Sequence, residues 1–113
     1  MQSHPEIESE IKSLLGQVAD VIPETMAGFG KLQQATFTDG ALDVRTKELI
    51  ALGIAIGGAC DGCIAWHNAA LHKLGCSVEE IAEVAGVAIE MGGGMALHPA
   101  AKAVAGFKQF GAD

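Results

Sequence analysis

Gly57-Gly58-Ala59-Cys60-Asp61-Gly62-Cys63-Ile64-Ala65-Trp66-His67 holds two of the chain's three cysteines, its one tryptophan and one of its four histidines. Two cysteines three positions apart, with a histidine four further on, project to one side of a helix, because residues three and four apart are neighbours there. The glycine pair before them interrupts the preceding segment and places Cys60 near a helix N-terminus. Unpaired backbone N–H groups at that end favour negative charge. A thiolate is such a charge, and its population controls cysteine reactivity. The stretch therefore reads as a dithiol redox centre on a helix, with the rest of the chain as its scaffold.

Upstream of the quoted stretch, Asp43 is placed to cap a helix whose first turn reaches Lys47-Glu48. Leu49, Ile50, Leu52, Ile54 and Ile56 follow, so this helix is apolar nearly all round and is expected at the centre of the fold. The helix opening near Cys60 should end at Lys73-Leu74, with Gly75 just beyond it. Cys60, Cys63, His67 and Leu74 fall on one stripe, expected to face the core, which would leave the thiols at most partly exposed. His72 points elsewhere and reads as a surface residue, and Cys76 reads as a bystander in the next turn. Ser77-Val78-Glu79-Glu80 is a capping box opening a fifth helix with Val78, Ile81, Ala82, Val84, Ala85 and Ile89.

Gly92-Gly93-Gly94 breaks that helix; no Gly-Lys-Ser/Thr follows, so it is not a phosphate loop. His98-Pro99 opens a last helix with Ala103, Val104, Phe107 and Phe110 on its apolar side. At the other end, Ser3-His4-Pro5-Glu6 starts a first helix carrying Ile7, Ile11, Leu14, Leu15 and Val18. Pro23 stops it and starts a second, to about Thr36, with Met26, Phe29 and Leu32 as its apolar side; Thr38-Asp39-Gly40 is a turn. The tail Gly111-Ala112-Asp113 is expected to fray. No alternating strand pattern occurs. The fold class is all-α: a single domain, residues 1–113, forming a bundle of about six helices.

The 113 residues suffice for one domain with a core. Half of them are hydrophobic and mean hydropathy is +0.32, more apolar surface than a small sphere can hide. A large subunit interface, hence a homo-oligomer, is expected. The longest apolar run, Leu49 to Cys60, falls short of the roughly 18–20 residues that a membrane span needs. The opening residues include Glu6, Glu8 and Glu10 rather than a basic segment before an apolar one, so no secretory signal is read. No membrane partner and a cytoplasmic location are expected. Net charge is −7 with seven Lys and Arg and no basic patch, which argues against a nucleic-acid partner. Three cysteines cannot all pair within one chain, and in a reducing compartment a Cys-x-x-Cys is redox-active or metal-binding before it is structural.

Three readings of Cys60, Cys63 and His67 compete. In the first, the thiols cycle through a disulfide and His67 takes a proton from Cys63, one turn away. Glu48 completes a relay if the third helix packs beside the fourth. In the second, Cys60, Cys63 and His67 bind zinc with Glu48 or water as fourth ligand, although structural sites commonly use two separated ligand pairs and the second is missing. In the third, the cysteines are small apolar core residues. The first is preferred, and with it no metal and no cofactor.

Glu48, twelve residues before Cys60, then Cys-x-x-Cys-x3-His, resembles the AhpD-like alkylhydroperoxidases of the carboxymuconolactone decarboxylase superfamily. The resemblance runs from about Leu42 to Phe107 and includes Lys47-Glu48-Leu49-Ile50, Ala65-Trp66-His67 and the glycine break at Gly92. It implies an all-helical fold, trimers or hexamers, and thiol-dependent reduction of a hydroperoxide substrate. It further implies that Cys63 attacks the peroxide and that Cys60, the more open sulfur, resolves the sulfenic acid. His67 and Glu48 relay the proton, and a lipoyl group or thioredoxin-like protein is the implied thiol reductant. Well-studied members carry a histidine where this chain has Gly62, and Asp61 beside it should raise thiol pKa and weaken the peroxidase. Two alternatives stay open: a lactone decarboxylase, although true decarboxylases of the superfamily generally lack the cysteine pair, and a non-enzymatic oligomeric or metal-binding module.

Overall fold

A computed structural model describes residues 2–111. Six α-helices follow one another: α1 (His4–Val21), α2 (Pro23–Thr36), α3 (Val44–Gly57), α4 (Asp61–Lys73), α5 (Val78–Gly92) and α6 (Leu97–Lys108). A short 3-10 turn, Gly93–Ala96, joins the last two, and no strand occurs among the described residues. The helix ends lie where local chemistry puts them. Ser3 Oγ accepts from Glu6 N–H at 3.3 Å while Glu6 Oε1 accepts from Ser3 N–H at 3.1 Å, closing a capping box. Ser77 and Glu80 repeat that box at 3.2 and 2.9 Å, and Asp43 Oδ1 caps α3 by accepting from Thr46 N–H at 2.8 Å. Gly75, at φ 78°, supplies the left-handed residue that closes α4, and Pro23 opens α2. The described part of the tail ends in a turn at Gly111; Ala112 and Asp113 lie outside the described residues.

The core is built where α3, α4, α5 and α6 meet, with Leu52, Ile56, Ile64, Leu71, Ile81 and Phe107 wholly buried. α3 is central, as its apolar circumference predicts, but it buries one face only: Ile50 and Ile54 remain exposed, the latter by 72 %. With Val87 and Met91 of α5 they line an apolar groove of about 580 Å³. α1 lies across α4, and α2 leans on α1. The predicted apolar side of α2 is not buried in the single chain: Phe29 and Leu32 are 53 % and 61 % exposed, because the elements that pack the core do not reach it. No described helix is long and apolar enough to cross a membrane.

Two readings change, the α4 stripe and His72, while Cys76 keeps its unpaired place in the turn before α5. The Cys60/Cys63/His67/Leu74 stripe does not face the core; α4 turns Ile64, Asn68 and Leu71 inward instead, and Leu74 is 41 % exposed. His72 is half-buried, its ring edge-on to Phe107 and stacked on Phe110, each at 6.0 Å between centroids. Cys76 is a buried free thiol whose pKa is pushed up, chiefly by burial.

His4 was legible only as part of a helix start, yet it is buried and ties α1 to the bundle. Its N–H donates to Gln109 Oε1 at 2.7 Å, and its Nδ1 accepts from Asn68 Nδ2 at 3.1 Å. The same Asn68 amide donates to the Ala103 carbonyl at 3.0 Å. The imidazole occupies the space a side chain would need at Gly106, where a Cβ would overlap the ring. Gly106→Ala should therefore cost about 1–3 kcal/mol, as overpacked cores do, read as a lower urea midpoint; an unchanged midpoint would contradict this packing.

Burial holds the His4 imidazole below its ordinary pKa; nearby Asp61 opposes that shift and Lys102 adds to it. A group neutral in the fold and titrating higher when unfolded stabilises the protein above its unfolded pKa. That stability falls as pH drops below about 6.5 toward the folded value. The carboxyls of Glu6, Asp43 and Glu80 are held low by hydrogen bonds, so their losses come at more acid pH. Urea midpoints should thus fall between pH 7 and 5, and His4→Gln should flatten that fall.

Candidate active site

The site depends on how the chain leaves α3. Gly58 and Ala59 turn it sharply, Ala59 at φ 52°, and Cys60 N–H donates back to the Ala55 carbonyl at 3.1 Å. So tight a connection sends α4 back along α3. That reversal sets Glu48, early in α3, against His67, midway along α4. Glu48 Oε1 lies 2.6 Å from His67 Nδ1, and the two side chains are 11 % and 17 % exposed. An ionised carboxylate only accepts, so Nδ1 carries the proton and Nε2 is left for chemistry. The Phe37 ring, tilted at 6.0 Å, covers part of the imidazole.

Cys60 and Cys63 form a disulfide with Cα atoms 5.2 Å apart. Cys60 is the N-cap of α4, and its Sγ accepts from Cys63 N–H at 3.2 Å. Negative charge on either sulfur after reduction would face the first-turn N–H groups and the helix dipole. Cys63 is exposed and Cys60 half-buried in the chain taken alone, the reverse of the expected order. The reason is local: the turn tucks Cys60 over the end of α3, whereas Cys63 sits on the outer side of the first turn of α4.

Both cysteines, Trp66 and His67 open onto a cavity of about 440 Å³ beneath Ile11 and Leu15 of α1 and Met26, Phe29 and Gln33 of α2. Gly62 matters to this roof, since a Cβ there would come within 2.8 Å of Ile11 Cδ1. The lack of a side chain at Gly62 lets Ile11 of α1 pack closely over this turn. The larger groove between α3 and α5 holds neither cysteine nor His67, so size does not locate the chemistry. Among the described residues no group of three His, Cys, Asp or Glu side chains is placed to hold a metal ion.

Asp61, expected to oppose thiolate formation, is paired with Lys102 of α6 at 2.9 Å, which offsets part of its field. Lys102→Met should slow iodoacetamide capture of the reduced thiols about two- to fivefold at pH 7, the scale of an exposed pair, and Asp61→Asn in that background should restore it. Equal rates in all variants would show that Asp61 does not act on the thiols.

Of the four residues selected from sequence, Cys60, Cys63 and His67 line this cavity, and Glu48 stands behind His67, bonded to its Nδ1. Sequence reasoning missed Ile11, Phe37 and Gln33. For Gln33 a signal existed: it follows Phe29 by four and Met26 by seven, which puts an amide on the helix face that those two define.

The profile described as the carboxymuconolactone decarboxylase family matches residues 23–106. The crystal structure of a carboxymuconolactone decarboxylase family protein from Legionella pneumophila superposes with a TM-score of 0.91 at 43 % identity, covering 95 % of this chain and 96 % of that one. An uncharacterized protein of Cupriavidus necator is 35 % identical over 99 residues, 88 % of each chain. An uncharacterized protein from the cox locus of Paracoccus denitrificans is 43 % identical over 77 residues, 68 % of this chain and 69 % of its own.

Proposed function

The chain belongs to the carboxymuconolactone decarboxylase family, and from that premise we propose that it is a thiol-dependent peroxidase or disulfide reductase of the AhpD-like kind. One observation carries the reading. His67, held from behind by Glu48, and the Cys60–Cys63 disulfide open on one cavity. A purely structural disulfide does not call for a carboxylate-oriented imidazole beside it.

In the reduced protein His67 Nε2 takes the Cys63 proton while Glu48 holds the ring and stabilises the imidazolium. The Cys63 thiolate attacks the terminal oxygen of a hydroperoxide, ROOH. The O–O bond breaks, sulfur is oxidised to a sulfenic acid, and RO⁻ takes a proton to leave as ROH. The Cys60 thiol then attacks the sulfenic sulfur, water leaves, and the disulfide forms. An external dithiol, a lipoyl group or a thioredoxin-like protein, returns two electrons and two protons. The protein works as a homo-oligomer, trimer or hexamer, in the cytoplasm; the uncovered apolar faces of α2 and α3 support the assembly.

The test is stoichiometric. Pre-reduced protein should convert about one equivalent of cumene hydroperoxide to cumyl alcohol per chain and then stop until a dithiol is added. No consumption would overturn the reading. Turnover of a carboxymuconolactone by a Cys60→Ser/Cys63→Ser variant would favour the decarboxylase alternative instead.

A further inference from the structure

The walls of the redox cavity are largely apolar, with Ile11, Leu15, Met26 and Phe29 forming most of the roof. Gln33 breaks the pattern. It is half-buried on α2 and lines the same cavity as the α4 sulfurs. Its backbone carbonyl accepts from Phe37 N–H at 2.9 Å, and its side-chain amide lies at the cavity surface, open to solvent or a ligand rather than sealed in the core. Two other polar groups at the cavity are also open, the Trp66 indole N–H and His67 Nε2, the latter reserved for the thiol proton. Glu48 holds His67 Nδ1, and Cys63 N–H donates to Cys60 Sγ.

An amide offers two donors and one acceptor. An apolar organic group entering this cavity would carry its oxygen out of water, and a desolvated oxygen needs a partner. We propose that Gln33 is the polar anchor of the cavity, its amide N–H donating to the carbon-bearing oxygen of an organic hydroperoxide and of the alcohol derived from it. The proposal rests on the redox reading above and names a residue that touches the reacting atoms. When Cys63 sulfur takes the terminal OH, the carbon-bearing oxygen departs with the O–O electron pair and collects a proton. A donor already aimed at that oxygen stabilises the charge as it develops.

Trp66 is the chain's one tryptophan and lines the same cavity, so its fluorescence reports occupancy without turnover. The oxidised protein is titrated with cumyl alcohol and with tert-butylbenzene, which has methyl in place of hydroxyl. The expected result is saturable quenching by both. Gln33→Met, of similar shape, should weaken the alcohol relative to the hydrocarbon by about three- to tenfold. Gln33→Asn, with its amide drawn back, should show part of that loss. An unchanged ratio in Gln33→Met, meaning an amide that is merely solvated, overturns the proposal, and so does a wild-type protein with no saturable response. If binding behaves as stated but no hydroperoxide is consumed, the peroxidase reading fails while the anchor stands. If hydroperoxide is consumed but the ratio is unchanged, the reverse holds.

Discussion

Replacing Cys63 by serine is expected to abolish the proposed hydroperoxide consumption, a fall on the order of 10⁶-fold if the loss matches that of a nucleophile removed from a catalytic unit. A serine hydroxyl does not ionise usefully near neutrality, and the retained His67 cannot make up that difference. Cys60→Ser behaves differently. It should spend one equivalent of peroxide and halt with a sulfenic acid on Cys63, which a dimedone-type trap would record by mass. The two variants separate the roles of the two sulfurs. A Cys60→Ser protein inert to peroxide, beside a Cys63→Ser protein that reacts once, would exchange them. That outcome has a physical basis to compete with, since Cys60 holds the N-cap while Cys63 is the more exposed residue.

Glu48→Gln is expected to lower the rate of the proposed peroxide step by about 10²- to 10⁴-fold, the span of a general-base contribution. Glutamine has nearly the same shape and its carbonyl can still accept from Nδ1, so the fold and the 2.6 Å contact survive in outline. What goes is the negative charge that stabilises the imidazolium, and with it the fixed tautomer. Far-UV circular dichroism should be unchanged while single-turnover kinetics slow. A Glu48→Gln enzyme as fast as the wild type would show that the pair at the α3–α4 contact is structural. His67→Gln should match the Glu48→Gln rate closely, and the double variant should add little, because the two act as one unit.

The helices were legible in the chain because their ends are written in short-range chemistry. Ser3 with Glu6, Asp43, Ser77 with Glu80, Pro23 and Gly75 each act within one turn of where they sit. The grouping of the four candidate residues was legible for a similar reason: three of them share one helix stripe, and the fourth needed only that α4 return along α3. What the pattern did not disclose was decided at longer range. The core face of α4 is set by α3 and α6, so Ile64 and Asn68 turn inward rather than Cys63 and Leu74. His4 is buried because Gly106, about a hundred positions away, leaves room for its ring. Periodicity also marks α2 and α3 as more apolar than one chain can bury, and Phe29 and Ile54 at the surface are where that excess lies. Gln33 was visible as a polar residue on an apolar face, but only the cavity gives that position a purpose.

The most direct test of the account is the mass of the Cys60–Cys63 peptide from fully reduced protein, before and after one equivalent of hydroperoxide. The account predicts that this peptide loses two hydrogens, that Cys76 stays a free thiol, and that a dithiol restores the starting mass. A peptide that keeps both hydrogens while the peroxide remains, or oxidation that falls on Cys76 instead, would contradict it.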